Sequence, residues 1–493
     1  MWLQLDGEGP LYQQLYRALR RAILEGALLP GARLPATRGL AREAGVSRNT
    51  ALLAYEQLLD EGYVTARTGS GTFVAASLPE EPAPAPRPTG GSGGRSRGPA
   101  PTLAVSAQAR RMLAQAPRSG VSWDMPRRHL AYDFRYGEPA YADLPLETWC
   151  RLLGRRARRA SAVRLAYGDP AGAPELRSAL AGYLRRARGV VCTPEQILVT
   201  HGSQQAIDLV GRVLIDPADR VALEEPHYTG FSLPLSAYGA ELVSIPVDEQ
   251  GLCVDELTAQ PAVRGVCATP SHQFPTGGVL SLERRLALLS WAERRAAFIL
   301  EDDYDGEYRY EGRPVPSLQS LDRSGRVLYM GTASKLLFPS LRIGWLVVPE
   351  PLVRVFSLAK AYADTGSATL EQRVLADFIE GGYLERHVRR SRVRNAARRE
   401  ALNRAVERHL GGTASLAGTR AGLHGLLWVH ELPGAREAEL RRACAARDVG
   451  LYPVRPYYTD PPPQAGYVLG YAALSEADID EGVRRVAAAL EGL

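Results

Sequence analysis

Lysine, cysteine and long apolar runs are scarce in this sequence. Only Lys335 and Lys360 are lysine among the 60 basic residues of the 493-residue chain. The five cysteines are widely spaced and form no Cys-x-x-Cys pair, which argues against a disulfide framework and a zinc site, so we expect no metal. No apolar run of about 18 residues occurs, and the first residues lack a basic segment followed by an apolar one. We therefore expect neither export nor a membrane span, and we place the chain in the cytoplasm.

Charge alone predicts no partner for this chain. The formal net charge of +6 is small for 493 residues. Residues 1–76 contain eight arginines against seven acidic residues. An argument for nucleic-acid binding must therefore come from the pattern of residues rather than from net charge. With 45% hydrophobic and 23% charged residues, the composition is that of a globular protein.

Three helical patterns near the start of the chain predict a helix-turn-helix. Residues 10–26 place apolar side chains at helical spacing. A short helix near residues 37–44 ends at Gly45, and Ser47 then caps a helix of about residues 48–61. Two helices joined by such a turn form a helix-turn-helix, whose second helix can enter the major groove of DNA.

A predicted wing follows, because residues 62–74 alternate as two strands about a Gly-Ser-Gly turn. Three motifs at these separations, Leu34-Pro-Ala-Thr-Arg-Gly-Leu-Ala, Gly45-Val-Ser-Arg-Asn-Thr and Gly69-Ser-Gly-Thr-Phe-Val, resemble the winged helix-turn-helix of the GntR family of transcription regulators. The resemblance implies that double-stranded DNA is contacted by Arg38, Ser47, Arg48 and Thr50, and by Thr68 and Gly69 at the wing tip. Some members carry a further base-contacting arginine where this chain has Leu52, so the operator sequence stays open.

Composition divides the chain into three parts. Residues 77–104 are rich in Pro, Gly and Ser and have few large apolar side chains, so they are predicted to form a flexible linker. The linker separates a winged helix-turn-helix domain, residues 1–76, from a large domain, residues 105–493.

The large domain alternates strand-like apolar runs with helical patterns. The runs are residues 197–200, 220–223, 263–268, 298–300, 327–330 and 343–348. Strands separated by helices predict an α/β fold with a mostly parallel, doubly wound sheet. Polar residues follow several of these runs, at the strand ends where such sheets bind ligands.

Lys335 lies in a polar loop between two of these apolar runs. An amine can lose its proton and attack a carbonyl, whereas the guanidinium of arginine stays protonated. Two adjacent carboxylates, Asp302 and Asp303, follow an earlier strand, and a polar turn that begins at His201 opens a helix suited to a phosphate. Pyridoxal phosphate needs such a lysine, a carboxylate for its ring nitrogen, an aromatic face and phosphate donors.

In the order of these motifs, residues 105–493 resemble the fold-type I aminotransferases of class I. The resemblance implies pyridoxal 5'-phosphate as cofactor, Lys335 as its Schiff-base lysine, and Asp302, in preference to Asp303, beside the ring nitrogen. It places Tyr304 on the phenolic oxygen and Tyr228 on the ring face. The implied phosphate ligands are Ser203, Gln204, Thr332, Ser334 and Arg342, together with Tyr167, which reaches the phosphate of the neighbouring subunit of a dimer.

Two departures from the aminotransferase pattern concern substrate chemistry. The chain reads Ser271-His-Gln-Phe-Pro-Thr-Gly where these enzymes usually have Asn-Pro-Thr-Gly, so the amide at the phenolic oxygen is missing. Val468 stands where they carry the arginine that clamps the substrate carboxylate. Arg455 is either a substitute for that arginine or a solvated or structural residue.

Both halves together are similar to the MocR subfamily of GntR regulators, in which an aminotransferase-like domain senses a ligand through pyridoxal phosphate. The resemblance implies a homodimer, in an arrangement that can be domain-swapped, that binds promoter DNA and responds to the cofactor itself or to an amino acid. Gly230 replaces an arginine of the members that respond to 4-aminobutanoate, which disfavours that ligand. The alternative is a working aminotransferase with an accessory DNA-binding domain. We expect no steady turnover, and residual half-transamination stays open.

Overall fold

A computed structural model of the chain describes residues 5–67, 70–78, 104–115, 130–159, 166–311 and 316–493. The chain divides into two compact units, Met1–Thr102 and Leu103–Leu493. The predicted linker, residues 77–104, lies almost wholly outside the described residues.

The small unit is the predicted winged helix-turn-helix. It contains helices α1 (Leu11–Leu24), α2 (Thr37–Ala44) and α3 (Arg48–Asp60) and strands β1 (Val64–Arg67) and β2 (Gly71–Val74). Helix α2 ends at Gly45, whose φ of 68° favours glycine. Ser47 caps α3, because its Oγ accepts a hydrogen bond from the Thr50 N–H at 3.1 Å. Strands β1 and β2 pair antiparallel with Val64 opposite Val74, and the helices bury Leu15, Leu40 and Leu58 between them.

The large unit has these helices: α4 (Ala107–Gln115), α5 (Leu146–Arg158), α6 (Pro174–Arg188), α7 (Ser203–Leu214), α8 (Thr229–Tyr238), α9 (Val254–Ala259), α10 (Leu282–Arg295), α11 (Leu318–Leu321), α12 (Val353–Asp364), α13 (Thr369–Glu380), α14 (Tyr383–Leu410), α15 (Glu437–Ala445) and α16 (Glu476–Leu490). Its strands are β3 (Tyr132–Asp133), β4 (Ile197–Thr200), β5 (Arg220–Glu225), β6 (Glu241–Asp248), β7 (Gly251–Leu252), β8 (Val263–Ala268), β9 (Phe298–Asp302), β10 (Val327–Thr332), β11 (Gly344–Val347), β12 (Ala414–Ala417), β13 (His424–Pro433), β14 (Val449–Gly450), β15 (Tyr452–Pro453) and β16 (Gln464–Gly470).

An eight-stranded sheet in the order β4-β11-β10-β9-β8-β5-β6-β7 forms the centre of the large unit. The strands from β10 to β6 in this order pair in parallel, whereas β11 is antiparallel to both of its neighbours and β7 is antiparallel to β6. The sheet is buried on both faces: in β11, Trp345 and Val347 pack into one core and Leu346 into another. Burial on both faces explains the continuous apolar runs of the sequence. The predicted mostly parallel α/β fold is confirmed.

A second, antiparallel sheet in the order β12-β13-β16-β15 follows in the C-terminal part. Helices α14 and α16 pack on it through Leu402, Ile479 and Val483, which share a core with Leu427 and Tyr467. Parallel pairing of β3 with β14, Tyr132 opposite Val449, joins an early segment to this part. Neither these strands nor β6 were predicted from the sequence. The residues of β6 are mostly exposed or half-buried and therefore form no apolar run.

None of the helices in the described ranges is long and apolar enough to span a bilayer.

Candidate functional site

A cavity of about 850 Å³ lies in the large unit, beside the carboxyl ends of β9 and β10 and the first turn of α7. Nine of the ten residues predicted to bind the cofactor line it: Ser203, Gln204, Tyr228, Asp302, Tyr304, Thr332, Ser334, Lys335 and Arg342. Strands β9 and β10 end at Asp302 and Thr332, where the apolar run of each strand gives way to polar residues that line the cavity. Parallel strands bring such ends to one edge of the sheet.

The Lys335 amine lies against the backbone of a distant segment. Its Nζ donates a hydrogen bond of 2.7 Å to the carbonyl oxygen of Gly137. Gly137 has a φ of 78°, and a Cβ atom there would lie 2.7 Å from Nζ, so only glycine allows this approach. Burial lowers the pKa of Lys335, although the charges of Asp305 and Asp302 oppose the shift. The amine is therefore deprotonated more readily than an exposed lysine, as a nucleophile requires.

The two adjacent aspartates have different surroundings. Asp303 forms an ion pair with Arg188, at 2.6 Å between Oδ2 and Nε, and accepts a 2.8 Å hydrogen bond from the Tyr329 hydroxyl. Asp302 lines the cavity instead, and its Oδ1 is buried without a hydrogen-bond partner among the described residues. Burial, together with the charges of Asp303 and Asp305, raises the pKa of Asp302 well above its ordinary value.

Several donors for an anion lie on the cavity wall. Helix α7 begins at Ser203, and its first-turn N–H groups have no partner within the helix. The Arg342 guanidinium donates to the carbonyl oxygen of His201 at 2.7 Å, which fixes it beside this turn. The Thr332 hydroxyl accepts from the Ser334 N–H at 3.1 Å. A helix start, an arginine and two hydroxyl residues together suit a phosphate group.

Tyr228 provides an aromatic wall. Its ring contacts Phe231 and Phe274 edge to face, at centroid distances of 5.8 and 5.9 Å. A Cβ atom on Gly230 would lie 2.1 Å from this ring, so a side chain at position 230 would displace Tyr228. Gly230 therefore also serves the packing of the aromatic wall.

A buried polar cluster contacts Tyr304, and its other members were not predicted from the sequence. The Tyr304 hydroxyl lies 2.9 Å from His272 Nδ1, which lies 3.0 Å from Asp305 Oδ2. Burial alone would lower the pKa of His272, but the nearby Asp305 carboxylate raises this pKa above its ordinary value. His424 completes the cluster, with a ring centroid 4.9 Å from that of His272.

Two signals could have identified this cluster. Asp305 belongs to the acidic run after β9, and His272 lies in the segment that departs from the aminotransferase pattern. One nitrogen or oxygen atom from each of His272, Asp305 and His424 could bind a metal ion, and these three atoms lie within 4.8 Å of one another. Both His272 nitrogens already have hydrogen-bond partners, since Nε2 lies 3.2 Å from the carbonyl oxygen of Gly418. Hydrogen bonds therefore hold the cluster together around His272, whereas Asp305 Oδ1 is buried without a partner among the described residues.

These residues fit pyridoxal phosphate. The unpartnered Oδ1 of Asp302 is the group that a protonated ring nitrogen would satisfy. A positive neighbour would also stabilise Asp302 as a carboxylate, against the burial that now disfavours its charge. The cavity adds an amine with a lowered pKa, an aromatic wall and phosphate donors, the full set of groups that this cofactor requires.

Three residues singled out from the sequence lie apart from the cavity. Tyr167 is 93% exposed and does not line it in the single chain. Val468 is fully buried, with Phe274, Leu426 and Tyr457 in its apolar cluster. Arg455 is exposed and lies outside the cavity wall, so the suggestion that it replaces the missing carboxylate clamp is not supported.

In the small unit, the predicted DNA contacts cluster around the turn between α2 and α3. Arg38 in α2 and Arg48 at the start of α3 are exposed. Ser47 and Thr50 are joined by the cap and by a 2.8 Å contact between their hydroxyls. The wing-tip residues Thr68 and Gly69 lie outside the described residues.

Comparison with known proteins identifies both halves of the chain. Residues 133–486 match the family described as aminotransferase class I and II, and residues 11–74 match the bacterial regulatory proteins of the gntR family. The probable rhizopine catabolism regulatory protein MocR of Rhizobium meliloti is 41% identical, over 100% of this chain and 96% of that protein. The HTH-type transcriptional regulator TauR of Rhodobacter capsulatus is 35% identical, over 99% and 98% of the two chains.

A solved structure shows the same fold in the large unit. LysN, an α-aminoadipate aminotransferase from Thermus thermophilus complexed with N-(5'-phosphopyridoxyl)-L-leucine, is 28% identical. The match has a TM-score of 0.70 and covers 79% of this chain and 97% of LysN. The chain therefore belongs to the MocR-like regulators of the GntR family, in which a GntR helix-turn-helix domain is joined to an aminotransferase domain of class I and II.

Proposed function

We propose that the chain is a cytoplasmic transcription regulator that binds promoter DNA as a dimer and senses pyridoxal phosphate or an amino compound through its aminotransferase domain. In this proposal residues 1–76 bind DNA, residues 77–104 link the domains, and residues 105–493 bind the cofactor. MocR and TauR match this chain along nearly their whole lengths, and both are named as regulators. This likeness supports a regulatory role.

The small unit has the features that DNA binding requires. Helix α3 is capped, its N-terminal turn carries Arg48 and Thr50, and Arg38 is exposed on α2. In a helix-turn-helix the first turn of the second helix contacts base edges, while arginines on the flanking turn contact phosphates. Thr68 and Gly69 complete the proposed contacts from the wing tip.

The large unit holds the cofactor in this proposal. When bound, pyridoxal phosphate supplies an aldehyde that condenses with primary amines and a ring that accepts electrons. Lys335 presents its amine, and Asp302 holds the proton at the ring nitrogen. The phosphate is bound by Ser203, Gln204, Thr332, Ser334 and Arg342. Tyr228 covers the ring, and Tyr304, held by His272, donates to the phenolic oxygen.

One observation carries the choice of a sensor over an enzyme. The cavity retains the groups that bind the cofactor, yet the place of the substrate clamp is occupied by Val468, which is 0% exposed and packed among apolar side chains. An arginine–carboxylate pair both binds and orients an amino acid for repeated turnover. A site that keeps the cofactor and lacks this clamp is suited to ligand sensing.

The proposal includes a dimer, in an arrangement that can be domain-swapped. Tyr167 is 93% exposed in the single chain, which is unusual for a tyrosine because its ring is a large apolar surface. A partner subunit whose cofactor phosphate accepts the Tyr167 hydroxyl would cover it. Two small units in one dimer would also match paired DNA half-sites.

The proposal is tested with the purified full chain and DNA from its own promoter region. We expect an imine absorption band with pyridoxal phosphate that Lys335→Ala abolishes, because alanine has no amine. We also expect promoter DNA to bind at least about tenfold more tightly than random DNA of the same length, with an affinity that changes when the cofactor is added. Equal affinity for both DNAs would contradict the regulatory role.

The second candidate is a working aminotransferase, which the retained Lys335 and the likeness to LysN favour. Formation of pyridoxamine phosphate is measured with a panel of amino acids and a keto-acid acceptor. We expect no steady turnover. Rapid turnover on any member of the panel would reverse the ranking of the two functions.

A further inference from the structure

The cavity contains a cation that the proposed cofactor contacts do not use. Arg135 lines it together with Lys335, and its side chain is only 11% exposed. Arg135 lies two residues before Gly137, whose carbonyl oxygen accepts the 2.7 Å hydrogen bond from Lys335 Nζ. The segment that carries Arg135 therefore touches the amine at which a ligand would meet the cofactor.

Arg135 also lies beside the position of the missing clamp. Its guanidinium carbon is 5.0 Å from the centroid of the Tyr452 ring. Tyr452 in β15 is the direct cross-strand neighbour of Val468 in β16. Gly470, two residues after Val468, donates its N–H to the carbonyl oxygen of Phe134 at 2.9 Å. The segment that contains Arg135 therefore lies against the end of β16. Val468 in this strand carries no charge, so Arg135 is the cation at this end of the cavity that we consider for ligand binding.

The local contacts orient this guanidinium. The Tyr452 hydroxyl donates to Asp133 Oδ1 at 2.6 Å, which fixes the ring beneath Arg135. Asp133 Oδ2 also lies 3.5 Å from Arg135 Nε. The guanidinium is planar by resonance, and the aromatic ring beneath it helps to hold its orientation; a planar guanidinium can recognise a carboxylate with two parallel hydrogen bonds.

We propose that Arg135 binds the carboxylate of an amino-acid effector, in place of the arginine whose position Val468 occupies. The amine of the same ligand then points toward the cofactor at Lys335. This inference rests on the proposed function, since it needs the cofactor in the cavity, and it narrows the effector to an amine that carries a carboxylate. Arg135 acts here by binding the ligand and takes no part in binding the cofactor.

The test uses the full chain loaded with pyridoxal phosphate. The standard L-amino acids and 4-aminobutanoate are titrated by calorimetry, each beside the amine that lacks its carboxylate, such as ethylamine for L-alanine. We expect at least one amino acid to bind about tenfold or more tightly than its matched amine, the usual effect of a hydrogen-bonded charge pair. Arg135→Gln should abolish this preference while the cofactor absorption band persists.

Arg455→Gln is the matched control, because Arg455 is an exposed arginine outside the cavity wall, and it should keep the preference. The inference is overturned if wild-type protein binds amines as tightly as amino acids, or if Arg135→Gln keeps the preference. It is also overturned if Arg135→Gln loses the cofactor band, since Arg135 would then support the cofactor site itself. If the wild type itself shows no cofactor band, the proposed function is refuted together with this inference. If the wild type shows the band but the carboxylate preference fails the test, only this inference is refuted.

Discussion

Asp302 and Asp303 show how one step along the chain changes the role of a carboxylate. Successive side chains of an extended segment point to opposite sides, so Asp302 reaches the cavity while Asp303 reaches Arg188 and Tyr329. Burial would raise the pKa of Asp303, but the Arg188 guanidinium holds this pKa below its ordinary value. One carboxylate is therefore bound within the protein, and the other remains for a ligand.

Matched substitutions should separate these two roles. Asp303→Asn leaves the buried Arg188 without its counter-charge and should reduce the free energy of unfolding by about 3 kcal/mol. Asp302→Asn replaces a buried carboxyl whose Oδ1 has no hydrogen-bond partner among the described residues, so the stability of the cofactor-free chain should be unchanged or increased. The same variant should weaken pyridoxal phosphate binding, because its ring nitrogen loses the carboxylate.

Thermal unfolding of the cofactor-free variants and absorption titration with the cofactor measure these two effects. Equal loss of stability in both variants would contradict the division of roles.

The two lysines of the chain also differ at this scale. Lys360 is fully buried, and its Nζ donates to Asp364 Oδ2 at 2.7 Å and to Ser367 Oγ at 2.9 Å. These partners hold Lys360 as a structural cation. Lys335 has a backbone carbonyl as its hydrogen-bond partner and lies in the cavity. Composition marked both residues equally, and the surroundings distinguish them.

At the scale of the element, helix α3 depends on its first turn. Ser47 supplies the cap through Oγ, and in the proposed function the same residue faces the DNA. A cap stabilises a helix by satisfying one of its first N–H groups. Stability and DNA binding are therefore coupled at this position, and two substitutions can separate them.

Ser47→Ala should destabilise α3 by about 1 kcal/mol, because no side-chain oxygen remains to accept from the Thr50 N–H. Ser47→Asp keeps a good capping oxygen and should preserve the helix, while its negative charge repels DNA phosphates and weakens binding. Hydrogen exchange of the α3 amides in the full chain measures the first effect, and titration with promoter DNA measures the second. Unchanged DNA affinity in Ser47→Asp would place this turn away from the phosphates.

At the scale of the whole molecule, the large unit contains buried carboxyl groups that keep their protons up to about pH 7. Burial raises the pKa of Glu224, Glu301 and Glu307 from 4.5 to about 7. Between pH 4.5 and 7 the folded chain holds these protons, whereas the unfolded chain has released them. Each of these groups therefore lowers the free energy of unfolding as pH rises through this window.

Glu224→Gln tests this pH dependence, since glutamine can still accept from the Thr269 N–H and hydroxyl. Relative to wild type, the variant should gain stability from pH 5 to pH 8, by up to about 3 kcal/mol. Glu225→Gln is the neighbouring control. Burial opposes the ionisation of Glu225, but the His227 ring 3.8 Å away and the two hydrogen bonds from Thr459 lower its pKa.

Over the range from pH 5 to pH 8, Glu225→Gln should therefore shift stability by a constant amount. Urea unfolding of the cofactor-free chain at several pH values measures both variants. A constant offset for Glu224→Gln would show that Glu224 is ionised throughout.

Much of the fold followed from local patterns. The winged helix-turn-helix, from Leu11 to Val74, and the buried strands around Lys335 were predicted because caps, turns and apolar runs depend on neighbouring residues. Strand β6 was not singled out because its exposed and half-buried residues interrupt the apolar pattern. The C-terminal sheet was missed because its strands are recognised by their pairing rather than by one long run.

The sequence by itself determined the two domain types, the parallel sheet and the lysine-centred set of candidate cofactor residues. Those features depend on short-range periodicity and on motif order along the chain. Tertiary structure decided which of Asp302 and Asp303 faces the cavity, placed Arg135 over Tyr452, the cross-strand neighbour of Val468, and joined His272, Asp305 and His424 in one cluster. The physical reason is that these contacts join segments far apart in the chain, so they depend on packing that no local pattern encodes.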